Sequence, residues 1–290
     1  MSAGNPTPTT GAAEATADPA RRSDLVLASS GPDSDAVERI TARHAQLAGS
    51  AAALTAQLLE ATADGDRERI RQANMALLDW AQGSLDSLLG AEQSVVDPAI
   101  RQEDAGLSDR LSTGRGLVTS TVLRLTGLSG AAETAGAAAE LRVHLGQYLR
   151  SFDDLALPLL ARSSGLPLSS LWSEIESLTA DDDTSVSGRT SVSGRGAAHT
   201  GAAHCECGIV DEPAFVELDV RAVPHAIRHA TVFGALDAIG PGGGLILVAP
   251  HDPLPLLAQI EQRTPGRFSV SYLDRGPEAW RLQLSAASPA

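Results

Sequence analysis

Apolar residues between positions 34 and 163 recur at alternating steps of three and four, which is the spacing of one face of an α-helix. The first such stripe consists of Val37, Ile40, His44, Leu47, Ala51, Leu54 and Leu58. Further stripes predict helices over residues 67–98, 107–125 and 141–159, the second ending at Pro98 because proline has no amide hydrogen to donate. A short fifth helix is predicted around residues 171–175.

Four amphipathic helices joined by short connections predict an up-down-up-down four-helix bundle, which with the fifth helix spans residues 34–178. Residues 1–33 are rich in Thr, Ala, Pro, Gly and Ser, a composition that buries too little apolar surface to fold, and they predict a disordered tail. Residues 179–214 contain the hexapeptide TSVSGR twice in tandem, which predicts a flexible linker.

From residue 215 the pattern becomes that of a small α/β domain. The segment FVELDVR alternates as a strand does, HAIRHATVFGALDAI has a helical pattern, and LILVAP is typical of a buried strand. A second helix and two more strands follow, so residues 215–286 predict a βαβαββ two-layer domain, and the chain as a whole an α plus α/β two-domain protein. The glycines of PGGG precede a strand instead of a helix, so we interpret them as a turn and not as a phosphate loop.

The charge and composition of the chain exclude some classes of binding partner. The formal net charge is -14 and every basic residue is an arginine, so we expect neither nucleic acid nor an anionic membrane as a partner. The chain has no signal-peptide pattern and no apolar run of the length of a membrane helix, which predicts a cytoplasmic protein. Its two cysteines, Cys205 and Cys207, are too few and too close for a disulfide framework.

Both cysteines lie in the stretch HTGAAHCECG, together with His199 and His204. Thiolate and imidazole are ligands for zinc, iron or copper. A C-x-C spacing is tighter than the C-x₂₋₄-C of most zinc sites, so we predict that this arm completes a site elsewhere and does not form one alone.

Three more histidines follow in the α/β domain. His225 and His229 are four residues apart on its first helix, and His251 directly follows LILVAP. If the two βαβ strands are parallel neighbours, His225 and His251 lie at the strand ends where open α/β sheets bind ligands. The sequence therefore predicts a metal site of His225, His229 and His251, loaded by His204, Cys205 and Cys207. We also expect Arg228 to bind an anion or pair with Asp219 or Asp252, and Asp252 to cap the next helix.

Residues 35–163 resemble the hemerythrin-like (HHE cation-binding) family in helix order, in a histidine on the first helix and in the endings of the second and fourth helices. The resemblance implies a di-iron site, and His44 matches its first ligand. At the other ligand positions the chain has Ser87, Ala91, Gly114, Tyr148 and Phe152, with Glu92 one residue and His144 one turn out of place. Small and apolar groups do not hold iron, so we expect no di-iron centre, with His44 a hydrogen-bonded core residue and His44 and Glu92 the remnant of a site.

Residues 217–284 resemble a small bacterial family catalogued as domain of unknown function 2249, on the motifs LDVR, RH, HDP.PL and GPE.WR. The resemblance implies the fold of TusA/SirA-like sulfur carriers, which carry a reactive cysteine after the first strand. That position is His225 here, which rules out persulfide chemistry at that place.

Three functions remain open. The leading prediction is a non-enzymatic protein that binds or senses a transition metal, zinc or iron, or a redox signal. The second is a sulfur-carrier-like thiol protein that uses Cys205 and Cys207, although Glu206 between them does not favour the thiolate. The third is a purely structural protein whose metal-free bundle forms a homo-oligomer and whose α/β domain binds a protein partner.

Overall fold

Helices make up the first part of the chain and a small mixed sheet with helices the second, in a computed structural model that describes residues 31–163, 165, 167–186 and 215–287. The helices of the first part, here called the helical region, are α1 (Pro32–Asp64), α2 (Arg67–Trp80), α3 (Asp86–Glu103), α4 (Ala105–Gly127), α5 (Ala131–Ser151), α6 (Leu157–Leu160) and α7 (Leu168–Val186). Two π-helical turns, Ala81–Leu85 and Phe152–Ala156, join α2 to α3 and α5 to α6 without a break.

Helix boundaries differ from the prediction in several places. Helix α1 begins at Pro32, within the predicted tail, and α5 begins at Ala131, ten residues before the predicted fourth helix. Pro98 lies inside α3 and does not end it, because Ile100 beyond it is fully buried in the core and holds the helix together as far as Glu103. The short fifth helix is instead the long α7, which continues to Val186 and takes in the first eight residues of the predicted linker. Residues 1–30 and 187–214, which contain the rest of the predicted tail and linker, lie outside the described residues.

Aspartates begin two of these helices. The Asp66 carboxylate accepts hydrogen bonds from the amides of Glu68 and Arg69 at the start of α2, and that of Asp104 accepts one from Leu107 at the start of α4. Within the part of the chain that the structure describes, no helix is both long enough and apolar enough to cross a lipid bilayer.

The second part of the chain has the predicted βαβαββ order. Its elements are β1 (Phe215–Asp219), α8 (His225–Asp237), β2 (Gly244–Ala249), α9 (Leu254–Arg263), β3 (Phe268–Arg275) and β4 (Trp280–Ala286). The strand order is β1-β2-β4-β3, with β1 parallel to β2 and the other pairs antiparallel. Alternate residues such as Leu245 and Leu247 are fully buried, which is the period-2 pattern of a sheet covered by helices.

Helix α1 belongs to both hydrophobic cores. Leu47 and Leu58 pack in the core of the helical region, whereas Ala53, on another face of the same helix, packs with Val232 and Leu245 of the α/β domain. The backbones of α1 and α8 touch: a Cβ added to Gly234 would lie 1.9 Å from the carbonyl oxygen of Gln46. The two parts of the chain are therefore joined by a helix crossing that only glycine allows.

Candidate functional site

Strands β1 and β2 are parallel, so their carboxyl ends lie side by side at one end of the sheet, here called the strand-end edge. The register of the pair runs from Phe215 opposite Gly244 to Asp219 opposite Val248. His225 begins the helix that follows β1, and His251 comes two residues after the end of β2. Both residues are exposed. The structure therefore places His225 and His251 at the strand-end edge, where open α/β sheets bind ligands.

Two of the histidines have one ring nitrogen engaged. The Nδ1–H of His251 donates to the backbone carbonyl of Asp252 over 3.3 Å. Nδ1 of His229 lies 3.1 Å from Oε1 of Gln259 on α9, an oxygen that accepts from it. This arrangement leaves the Nε2 lone pair of a neutral ring free, as is typical of histidines that bind metal.

Asp252 does not cap α9, contrary to the prediction. The capping position is Pro253, which has no side chain to accept an amide hydrogen. The Asp252 carboxylate instead accepts a hydrogen bond from the Tyr272 hydroxyl over 2.9 Å. Partial burial, together with the hydrogen bond to Asp252 and its charge, raises the pKa of Tyr272 above its usual value. Asp252 thus ties the edge to the hairpin of β3 and β4.

Arg228 pairs with neither aspartate. Its guanidinium donates to the carbonyl oxygen of Val223, through Nη2 at 2.9 Å, and so closes the loop before α8. Asp219 is paired with Arg221, whose side chain and backbone amide both donate to it. These hydrogen bonds lower the pKa of Asp219. Arg228 therefore has a structural contact, and its expected contact with an anion stays a prediction.

No group of three His, Cys, Asp or Glu side chains within the described ranges is arranged to hold a metal ion. The trio of His225, His229 and His251 therefore does not form a complete site by itself. The arm with His199, His204, Cys205 and Cys207 lies outside the described residues, so its predicted role stays a prediction.

A second cluster of polar side chains lies in the core of the helical region. His44 on α1 is buried and uses both ring nitrogens: Nε2–H donates to Oε1 of Glu92 over 2.9 Å, and Nδ1–H to Oδ1 of Asp153 over 2.6 Å. The other oxygen of Glu92 accepts a hydrogen bond from the Tyr148 hydroxyl over 2.6 Å. The ring of Phe152 meets His44 edge-on, with centroids 5.2 Å apart. His44 is thus a hydrogen-bonded core histidine.

The two carboxylates hold a proton on His44. Burial by itself lowers the pKa of the imidazole, but the hydrogen bonds to Asp153 and Glu92, and their negative charges, outweigh it and raise the pKa to about 9. Burial and the charge of Glu92 raise the pKa of Tyr148 well above its usual value, so the phenol keeps the hydrogen that it donates. A protonated His44 has no lone pair for a metal ion.

Arg115 and Asp97 extend the cluster and were missed from the sequence. Arg115 of α4 donates to the Tyr148 hydroxyl over 3.3 Å and forms an ion pair with Asp97 of α3. Burial raises the pKa of Asp97 in spite of the guanidinium beside it. Arg115 could have been found from the sequence, because it lies between Leu111 and Val118 on the apolar stripe of the third predicted helix. An arginine that faces inward there needs a buried partner.

Comparison with known proteins gives one result. Residues 217–286 match the model of a family described as an uncharacterized conserved protein, DUF2249. This confirms the resemblance of the C-terminal domain. No curated protein and no solved structure matches the chain.

Proposed function

We propose that this protein binds one transition-metal ion, zinc or iron, and catalyses no reaction. In this proposal His225 and His251 supply two nitrogen ligands from the strand-end edge, and Cys205 and Cys207 supply two thiolates. The observation that carries the proposal is the parallel pairing of β1 with β2, which brings both histidines to one edge. Four ligands of this kind suit a closed tetrahedral site.

The described residues limit the ligand set. No three of their side chains are arranged to hold a metal together, so the proposal uses two histidines of the trio. His225 and His251 follow the ends of adjacent strands, whereas His229 is held by Gln259 on α9. We therefore assign His229 to positioning α8 against α9.

Chain length permits the cysteines to reach this edge. Strand β1 is five residues long, so its first residue lies about 16 Å from the strand-end edge. The eight residues from Cys207 to Phe215 can span up to about 27 Å when extended. Cys207 can therefore turn back along β1 as far as His225.

The helical region serves in this proposal as a metal-free scaffold, a degenerate hemerythrin-like four-helix bundle. His44 is the one matching iron ligand, and both of its nitrogens donate to carboxylates. Tyr148 and Phe152 fill two of the other ligand positions with buried rings. His144 supports the scaffold through Thr121, with 3.1 Å between Nδ1 and the hydroxyl oxygen.

Zinc titration of the full chain by isothermal calorimetry tests the proposal. We expect one equivalent to bind, and the double variant His225→Ala/His251→Ala to lose at least roughly tenfold in affinity, as the removal of metal ligands or their supports does. His144→Ala, which lies in the helical region, is the matched control and keeps the wild-type affinity. Unchanged zinc binding in the double variant contradicts the proposal.

A further inference from the structure

A cleft separates the helical region from the far end of the α/β domain. It has a volume of about 340 Å³, and its floor is α1. One wall is formed by α2 and the π-helical turn after it, the other by the C-terminal end of α8 and by Arg263 of α9. It lies at the end of α8 away from His225 and takes no part in the proposed metal site.

Arg43 on the floor of this cleft lacks a partner. Among the described arginines that are not exposed, it alone has neither a hydrogen bond nor an ion pair: Arg69, Arg115, Arg228, Arg267 and Arg281 are all engaged. A guanidinium that is partly removed from water is stabilised by an anion that accepts from it. The chain has a net charge of -14, and Asp237 also lines the cleft, but within the described residues no carboxylate forms an ion pair with Arg43.

The rest of the lining adds a second arginine and a flat apolar wall. Arg263 is already paired with Asp237 over 2.8 Å, so the charge of the aspartate is neutralised and that of Arg43 is left over. Trp80 lines the cleft at the point where α2 passes into its π-helical turn, and Ser84 within that turn adds a hydroxyl. Such turns are frequent at functional sites, where they reorient side chains.

The floor of the cleft is held rigid by the glycine crossing. The hydroxyl of Ser50 donates to the carbonyl of Gly234 over 2.8 Å, and an added Cβ on Gly49 would lie 2.1 Å from the carbonyl oxygen of Thr231. With α1 and α8 fixed in this way, the backbone that carries Arg43 is held in place before a ligand arrives, which lowers the entropic cost of binding.

We propose that this cleft binds a small organic anion with a flat apolar body. The acidic group, a carboxylate, sulfonate or phosphate, accepts hydrogen bonds from Arg43, and the flat body packs against Trp80. The volume of the cleft is within the range of small-molecule sites.

Two fluorescent probes separate the contributions of charge and shape. The first is 8-anilinonaphthalene-1-sulfonate, a flat aromatic anion, and the second is N-phenyl-1-naphthylamine, which has the same ring system without the sulfonate. Fluorescence titration of the full chain should show the anion bound at one saturable site and the neutral probe bound at least tenfold more weakly. Equal affinity for the two probes overturns the proposal.

Variants locate the site. Arg43→Gln should weaken binding of the anionic probe roughly tenfold or more, the size expected for a hydrogen bond to a charged group. The matched control is Arg39→Gln, one turn earlier on α1, where the exposed arginine is paired with Glu176, and it should bind as the wild type does. Ala76→Phe, which places a ring into the cleft from an exposed position, should also weaken binding without a change of charge. Wild-type affinity in both Arg43→Gln and Ala76→Phe overturns the proposal.

Discussion

Nδ1 of His44 lies 2.6 Å from Oδ1 of Asp153, a residue 109 positions further along the chain and within a π-helical turn. The contact joins the first helix of the chain to the end of α5. Together with the bond to Glu92, it makes a buried imidazolium the centre of the helical region. Stability is therefore expected to depend on the charge of this one ring.

Raising the pH should destabilise the protein through His44. Its pKa is about 9 in the folded state, above the ordinary 6.5 of the unfolded chain. A raised pKa contributes stability that is fully present below pH 6.5 and is lost as the pH rises through 9. The loss is at most roughly 3 kcal/mol. Urea unfolding at constant ionic strength between pH 6 and 10 measures it.

The chain has no lysine, and its cysteines and tyrosines, with ordinary pKa values of about 8.5 and 10, are also present in a variant that lacks only His44. His44→Gln is the reference variant, because glutamine keeps hydrogen-bonding capacity but does not titrate. Its stability should vary much less over the same interval. An equally steep loss in His44→Gln means that another group is responsible.

Removing the charge of Glu92 should cost far more than removing an exposed one. Glu92 is fully buried and accepts from both His44 and Tyr148. Removing one partner of a buried ion pair typically costs about 3–5 kcal/mol. We therefore expect Glu92→Gln to lower the free energy of unfolding by about this amount. Glu140→Gln, at an exposed pair with Arg124, should cost less than about 1 kcal/mol. Chemical unfolding of the two variants compares them, and equal effects contradict the buried network.

The crossing of α1 and α8 should not tolerate a methyl group. In Gly234→Ala the new Cβ meets the Gln46 carbonyl at 1.9 Å, and because both partners are backbone the two helices must move apart. We expect a loss of at least about 2 kcal/mol and faster amide exchange along α8. Gly90→Ala on α3 is the control. A Cβ added there has no neighbour within 4 Å, so this variant should raise the free energy of unfolding by about 0.5–1 kcal/mol. Equal free energies of unfolding for the two variants would contradict a close backbone contact between α1 and α8.

The order of elements was predictable because helices and strands bury their apolar residues at different periods. The change from steps of three and four to alternation at residue 215 marks the start of β1. The prediction that the helix ends at Pro98 was wrong, because it rested on the local effect of proline, and tertiary packing outweighs that effect here. Burial of Ile100 extends α3 past the proline.

The buried cluster was only partly predictable. His44 stands on the inward stripe of α1, so its burial follows from spacing. Asp153 is next to Phe152 on a helix whose stripe is otherwise apolar, and no periodic rule brings it to His44, since the π-helical turn changes the angle between successive residues. The crossing of α1 and α8 was also missed, because small residues such as Gly49 and Ala53 give no hydrophobic signal.

The nature of the metal ligands tests the central claim most directly. X-ray absorption on the zinc-loaded full chain reports the atoms bound to the metal. The proposal predicts a mixed shell with sulfur at about 2.3 Å and imidazole nitrogen at about 2.0 Å, and loss of the sulfur shell in Cys205→Ser/Cys207→Ser. A shell of oxygen and nitrogen alone, or a spectrum that is unchanged in His225→Ala/His251→Ala, would contradict the assignment of the ion to this edge.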